Sequence, residues 1–123
     1  MTISEAIKQI DALKFNTYTQ SEKVNWLSVI DGIIKREVID THEGGEDIVF
    51  EGYNENTPID TELLAPAPYD DLYIKWLESQ IDYTNGEYGK YNNSKLSFNT
   101  AYTAFESWYN RQHMPLGKQF KCF

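Results

Sequence analysis

Apolar residues recur at helical spacing in four stretches of the chain, and one further stretch has the composition of a strand. In the first stretch Ile3, Ala6, Ile7, Ile10 and Leu13 share a face, and Thr2 with Glu5 three positions later forms a capping box, which predicts a helix over 2–14. The link "KFNTY" follows. A second capping pair, Thr19 with Glu22, opens a helix over about 20–39. Leu27, Ile30, Ile34 and Val38 make one stripe on it, and Trp26, Val29 and Ile33 make another. A helix apolar on two faces is buried on two sides, so it is either the central helix of the domain or one that lends a face to another subunit.

Residues 40–68 break that rhythm. "DTHEGGED" is an acidic turn punctuated by Gly44 and Gly45. "DIVFEGY" has the β-branched and aromatic content of a strand over 47–53, with 57–64 as the candidate other half of a hairpin. Pro66 and Pro68 then stop any helix from upstream, and Asp70 and Asp71 fall in a first turn, where carboxylates favour the helix dipole. A helix over 69–88 carries Leu72, Trp76 and Tyr83 along one line and Tyr73, Leu77 and Ile81 along a second, about 100° around the axis. Asn85-Gly86 either ends this helix or is overrun as far as Tyr88 or Lys90. A last helix over about 93–112 bears Phe98, Ala101, Tyr102, Phe105, Trp108 and Tyr109, and Met114-Pro115 closes it. The expectation is a mainly α fold: about four helices packed as a small bundle, with a short strand or hairpin in the acidic 40–68 insertion. Residues 1–115 form one domain in this reading, and 116–123 a C-terminal tail.

Composition agrees with a folded unit. A chain of 123 residues with 41% apolar and 15% aromatic content can bury a real core. No apolar run reaches the roughly 20 residues needed to cross a bilayer, and "MTISEAIKQI" lacks the layout of a signal peptide. Cys122 is the sole cysteine, so the chain holds no disulfide framework. These features lead us to expect a soluble protein made in the cytosol, without a membrane partner.

Charge sharpens the picture. Net charge is −8, and between Glu37 and Ile74 there are eleven acids and no Lys or Arg. Such a surface repels nucleic-acid phosphates, which argues against ordinary DNA or RNA binding. It leaves open a basic protein partner, or DNA that must pass without sticking.

Candidate chemistry is thin. Asp40, His42, Glu43, Glu46 and Asp47 mix carboxylates with an imidazole, but their spacing matches neither a helical HExxH nor a calcium loop, so no metal is expected. His113 follows the last helix, far in sequence from His42. Cys122 lacks an activating neighbour. "GEYGKY" lacks the third glycine, the preceding strand and the Lys-Ser/Thr of a phosphate loop. Asp70 and Asp71 are adjacent and point apart on a helix. The sequence supplies no catalytic residue, no cofactor site and no metal site. It does supply more aromatic side chains than a small core can hold, and surplus Tyr and Trp mark interfaces. Trp26, Tyr73, Tyr83, Tyr88, Tyr91 and Trp108 are the candidates. One line of helix 69–88 should pack around Leu27 and Phe105, and the other should meet an adjacent subunit together with Tyr88 and Tyr91.

The segments "PAPYDDLY…W", "QIDYTNGEYGKYNNS" and "YNRQHMP", within an order of elements that extends to Pro115, resemble the head–tail connector (head-completion, or adaptor) proteins of tailed phages and prophages. The resemblance implies a non-enzymatic, mainly helical subunit of the virion neck, made in the host bacterial cytoplasm. It implies assembly as a ring at the portal protein, contact with downstream neck and tail proteins, and a channel through which DNA passes without specific binding. On that reading Asp40, Glu43, Glu46 and Asp47 line the channel or dock a partner. The alternative is an acidic DNA mimic that inhibits a host nucleic-acid-handling protein. A mimic needs carboxylates spaced like phosphates on ordered elements, whereas these acids cluster around Gly44, Gly45, Pro58 and Pro66.

Overall fold

The computed structural model describes residues 1–116, so Cys122 and the rest of the tail lie outside the described residues. Four helices follow in chain order: α1 (Ile3–Leu13), α2 (Gln20–Ile34), α3 (Leu72–Thr84) and α4 (Tyr88–Gln112). Thr2 caps α1 in a complete capping box, and the Thr19 hydroxyl accepts from the Glu22 amide at the start of α2. The α2 helix continues into a wider π-helical turn, Lys35–Ile39. Its signature is the Asp40 amide donating five residues back to the Lys35 carbonyl at 2.8 Å, and it leaves the successive residues Val38 and Ile39 both buried.

The central helix is α3 rather than α2. Leu72, Tyr73, Ile74, Trp76, Leu77 and Ile81 are all buried, because α3 meets α1, α2 and, most extensively, α4. On α2 only the Leu27, Ile30, Ile34 stripe is fully buried. Trp26 and Ile33 are half-buried, and Val29 is exposed. The turn after α3 resolves the Asn85-Gly86 alternative. Gly86 takes a left-handed φ of 76°, which only glycine adopts readily, and α4 starts directly afterwards at Tyr88.

Among the described residues there is no strand and no hairpin. The segment 57–64 does pair, but with the N-terminus and not with 47–53. The Ile3 amide donates to Thr61 O at 3.1 Å, Ser4 to Ile59 O at 2.9 Å, and Leu63 to Met1 O at 2.9 Å. Gly45 is also sterically required: a Cβ there would sit 2.3 Å from the Ile39 carbonyl oxygen, so the acidic turn folds tightly back on the π-helical turn.

Residues 48–68 therefore form an irregular strap across the bundle, and a buried carboxylate anchors it. Asp31 lies in the buried stripe of α2 with 0% exposure. It accepts from the Tyr53 hydroxyl (2.5 Å), the Tyr73 hydroxyl (2.5 Å) and the Leu64 amide (3.1 Å). The Tyr73 oxygen in turn accepts from the Ala65 amide at 2.7 Å. A buried carboxylate is costly unless donors surround it; here three donors do, and they hold strap, α2 and α3 in one register.

Candidate interaction surfaces

The six aromatic candidates separate once folded. Tyr73 is not a surface residue. It is fully buried, with its hydroxyl committed to Asp31, so the expectation that its line on α3 faces another subunit is corrected. Tyr73, Leu77 and Ile81 all point into the core, and so do Leu72 and Trp76 of the other line. Only the last turn of α3, with Tyr83, emerges from the three helices around it. Trp26 is half-buried, edge-on to Tyr18 at 5.4 Å, and its carbonyl accepts from the Trp76 indole N–H at 2.8 Å. Trp108 is half-buried against Phe105 and stacked on Tyr69 at 5.2 Å.

Tyr83, Tyr88 and Tyr91 come together where α3 turns into α4. Tyr83 is 57% and Tyr88 61% exposed, and the Tyr83 ring lies 5.9 Å from Tyr88 and 5.2 Å from Tyr91. The α1–α2 link reaches the same end of the bundle, because the Tyr18 hydroxyl donates to Asn85 Oδ1 and Lys14 pairs with Asp82 at 2.6 Å. Leu13 at the end of α1 is 59% exposed, and Phe15 on the link is 89% exposed. Beneath it the acids outnumber the bases, because Lys14 also pairs with Glu78 at 3.6 Å. Asp82, 1% exposed, receives both Lys14 and the Ser94 hydroxyl (2.9 Å), and Lys90 pairs with Glu87 at 2.9 Å. This end presents rings on an ion-paired base with one acid in excess. Trp108 lies roughly 25 Å away from Tyr91 along α4, at 1.5 Å per residue, and so belongs to a different part of the surface.

The acidic candidates form the second surface. Asp40, Glu43, Glu46 and Asp47 are all exposed, with Asp40 in contact with Lys35. His42, by contrast, is buried beneath them. Its Nδ1 meets the Val38 carbonyl at 2.5 Å and its Nε2 meets Asn110 Oδ1 at 2.6 Å, so both ring nitrogens are engaged by the protein. His113, distant in sequence, stacks on Tyr109 at 4.0 Å, while His42 meets the other side of the cluster edge-on to Tyr109 at 4.9 Å. Backbone bonds from Glu43 to Met114 (2.9 Å) and from Leu116 to Thr41 (2.7 Å) close this cluster. Among the described residues no three His, Cys, Asp or Glu side chains are placed to share a metal ion, and no helix is long and apolar enough to cross a membrane.

Sequence reasoning missed Asp31, although a signal existed: it stands four residues after Leu27 and three before Ile34, inside an apolar stripe. A carboxylate at such a position requires partners, and the strap supplies them. Nothing local in the sequence announced the pairing of His42 with Tyr109 and His113, because it depends on where α4 ends against the acidic turn.

Comparison with family models, with curated proteins and with solved structures returns no match.

Proposed function

We propose that the chain is a non-enzymatic structural adaptor of a tailed-phage or prophage virion, assembling as a ring at the portal to join head to tail and to extend the DNA channel. The observation that carries this reading is the cluster of Tyr83, Tyr88 and Tyr91, with Phe15 beside the same end of the bundle. Those rings lie outside a core that is already complete. Exposed aromatic groups on an otherwise well-packed domain are the usual anchors of protein interfaces, and contacts between unlike patches on neighbouring copies close into rings. The acidic surface of residues 40–62 supports the same reading, since a negative wall lets duplex pass without holding it. In this proposal the ionisable groups that are buried have structural duties. Asp31 anchors the strap, Asp82 ties α1 to α3 and α4, and His42 fastens the acidic turn to α4. The protein would be made in the bacterial cytoplasm and would reside in the virion neck.

Electron microscopy of the protein mixed with its cognate portal tests the proposal. The expected result is a ring of additional density on the portal that is lost without the protein. Absence of portal binding, with tight binding to a DNA-handling host enzyme instead, would replace this reading with the mimic.

A further inference from the structure

The segment Ile48–Glu51 has the composition of a strand, and in the folded chain it behaves as half of one. Ile48 is in the extended region (φ −100°, ψ 112°), and no turn interrupts the chain before Gly52, whose left-handed φ of 88° ends the strand-like run. Exposure alternates with period two. Ile48 packs against the core and Phe50 lies over Gly32 of α2, whereas Val49 (78% exposed) and Glu51 face outward. Yet among the described residues the backbone N–H and C=O groups of Val49, Phe50, Glu51 and Gly52 make no hydrogen bond. With side chains alternating between bundle and solvent, those groups lie in the plane between them, along the bundle surface. There the segment walls an open groove of about 480 Å³ that also touches Tyr53, Pro58, Glu62 and Leu64.

We propose that Ile48–Glu51 is an acceptor edge for strand addition by a basic, extended segment of a partner protein. An unpaired row of backbone donors and acceptors is a template for another strand, and charge selects which one. Glu51 and Glu62 line the groove, Glu55 and Asp60 flank it, and no Lys or Arg occurs between residues 37 and 74. A second copy of the same segment would bring its own acids against these and be repelled. Lys or Arg alternating with apolar residues satisfies both requirements: the cations line up on the outward face with Glu51 and Glu62, their aliphatic stems covering Val49, while the apolar side chains on the opposite face lie toward the bundle beside Phe50 and Leu64. This inference assigns the strap's acids a partner strand, whereas the portal reading is carried by the aromatic end and only supported by the acidic surface.

Calorimetric titration with a short peptide alternating Lys with Val tests it, beside the same peptide N-methylated on alternate backbone amides, which keeps the charge and removes the pairing edge. Expected is one-to-one binding in the micromolar range, weakened about tenfold or more by N-methylation, by Val49→Pro, and by Glu51→Lys with Glu62→Lys. Equal binding of both peptides would reduce the site to charge attraction and overturn strand addition, and absence of binding would overturn it outright. Binding that emerges only after residues 117–123 are removed would assign the groove to the chain's own tail, which contains Lys118 and Lys121, and overturn the external partner. Failure here leaves ring formation on the portal to be judged by its own experiment.

Discussion

Tyr73 and Tyr83 belong to the same helix and meet opposite fates. Tyr73, near the start of α3, is enclosed by α2 and the strap, and its hydroxyl completes the shell of donors around Asp31. Tyr83, in the last turn, extends past the cover that the other helices provide and shares its exposure with Tyr88, Leu13 and Phe15. The two residues have the same chemistry and the same local propensity. What differs is whether another element arrives to cover them, and that depends on helix length and on where the strap crosses. The comparison separates aromatic side chains that hold the fold from aromatic side chains left for a partner.

The largest effect expected is on the buried side. Trp76→Ala and Tyr73→Ala each remove a ring from a packed interior, a loss of about 3–5 kcal/mol, and each should unfold the domain or bring its thermal transition close to ambient. Circular dichroism melts check this, and a Tyr73→Ala protein that melts like the wild type would show that Tyr73 is not the keystone described above.

A finer cut separates the two tyrosines on Asp31. Tyr73→Phe takes a donor from a buried carboxylate and also strands the Ala65 amide, so a cost of about 1–3 kcal/mol is expected. Tyr53 is half-buried, and water can replace its hydroxyl, so Tyr53→Phe should cost about 1 kcal/mol or less. Urea denaturation of the two variants measures the difference, and a larger loss in Tyr53→Phe would reverse the assigned roles.

Most of the helical architecture was legible in the sequence. Thr2 with Glu5 and Thr19 with Glu22 announced two helix starts, and apolar spacing announced the rest, since both signals are local. The start of α4 fell before the expected residue 93, because Gly89 and the Asn-rich stretch have poor intrinsic helix propensity that packing of α4 along α3 overrides. The strand over 47–53 was read from its β-branched and aromatic composition, but strands are defined by partners, and the bonds expected between 57–64 and this segment go to residues 1–4 instead. The site was legible in part. Tyr83 and Tyr88 are exposed and Tyr91 is half-buried, whereas Tyr73 was misplaced because two apolar lines on one helix read equally as interface or as a helix enclosed on all sides.

The smallest effect is on pH dependence. Burial holds the Asp31 carboxyl above its ordinary value of 3.8 despite its three donors. The folded protein thus binds that proton more tightly than the unfolded chain does. The resulting stabilisation is fully present below pH 3.8 and is lost as pH rises through the raised folded value. Asp31→Asn abolishes this falling contribution, so stability of the variant should climb more steeply with pH than that of the wild type across the window just above 3.8. Denaturant midpoints collected through that window measure the slopes, and parallel curves would mean that Asp31 does not titrate differently in the two states.

The aromatic end is tested most directly by imaging wild type and the Tyr83→Ala, Tyr88→Ala double variant side by side on the portal, at matched concentration and with thermal unfolding recorded for both. Because both rings are largely solvent-exposed, the melts should coincide within the range of ordinary surface substitutions, about 0.5 kcal/mol. Interface rings of this kind often contribute about 2 kcal/mol each, so rings should form with the wild type and be absent or sparse with the variant. A double variant that unfolds normally and still assembles as the wild type does would contradict the assignment of this surface.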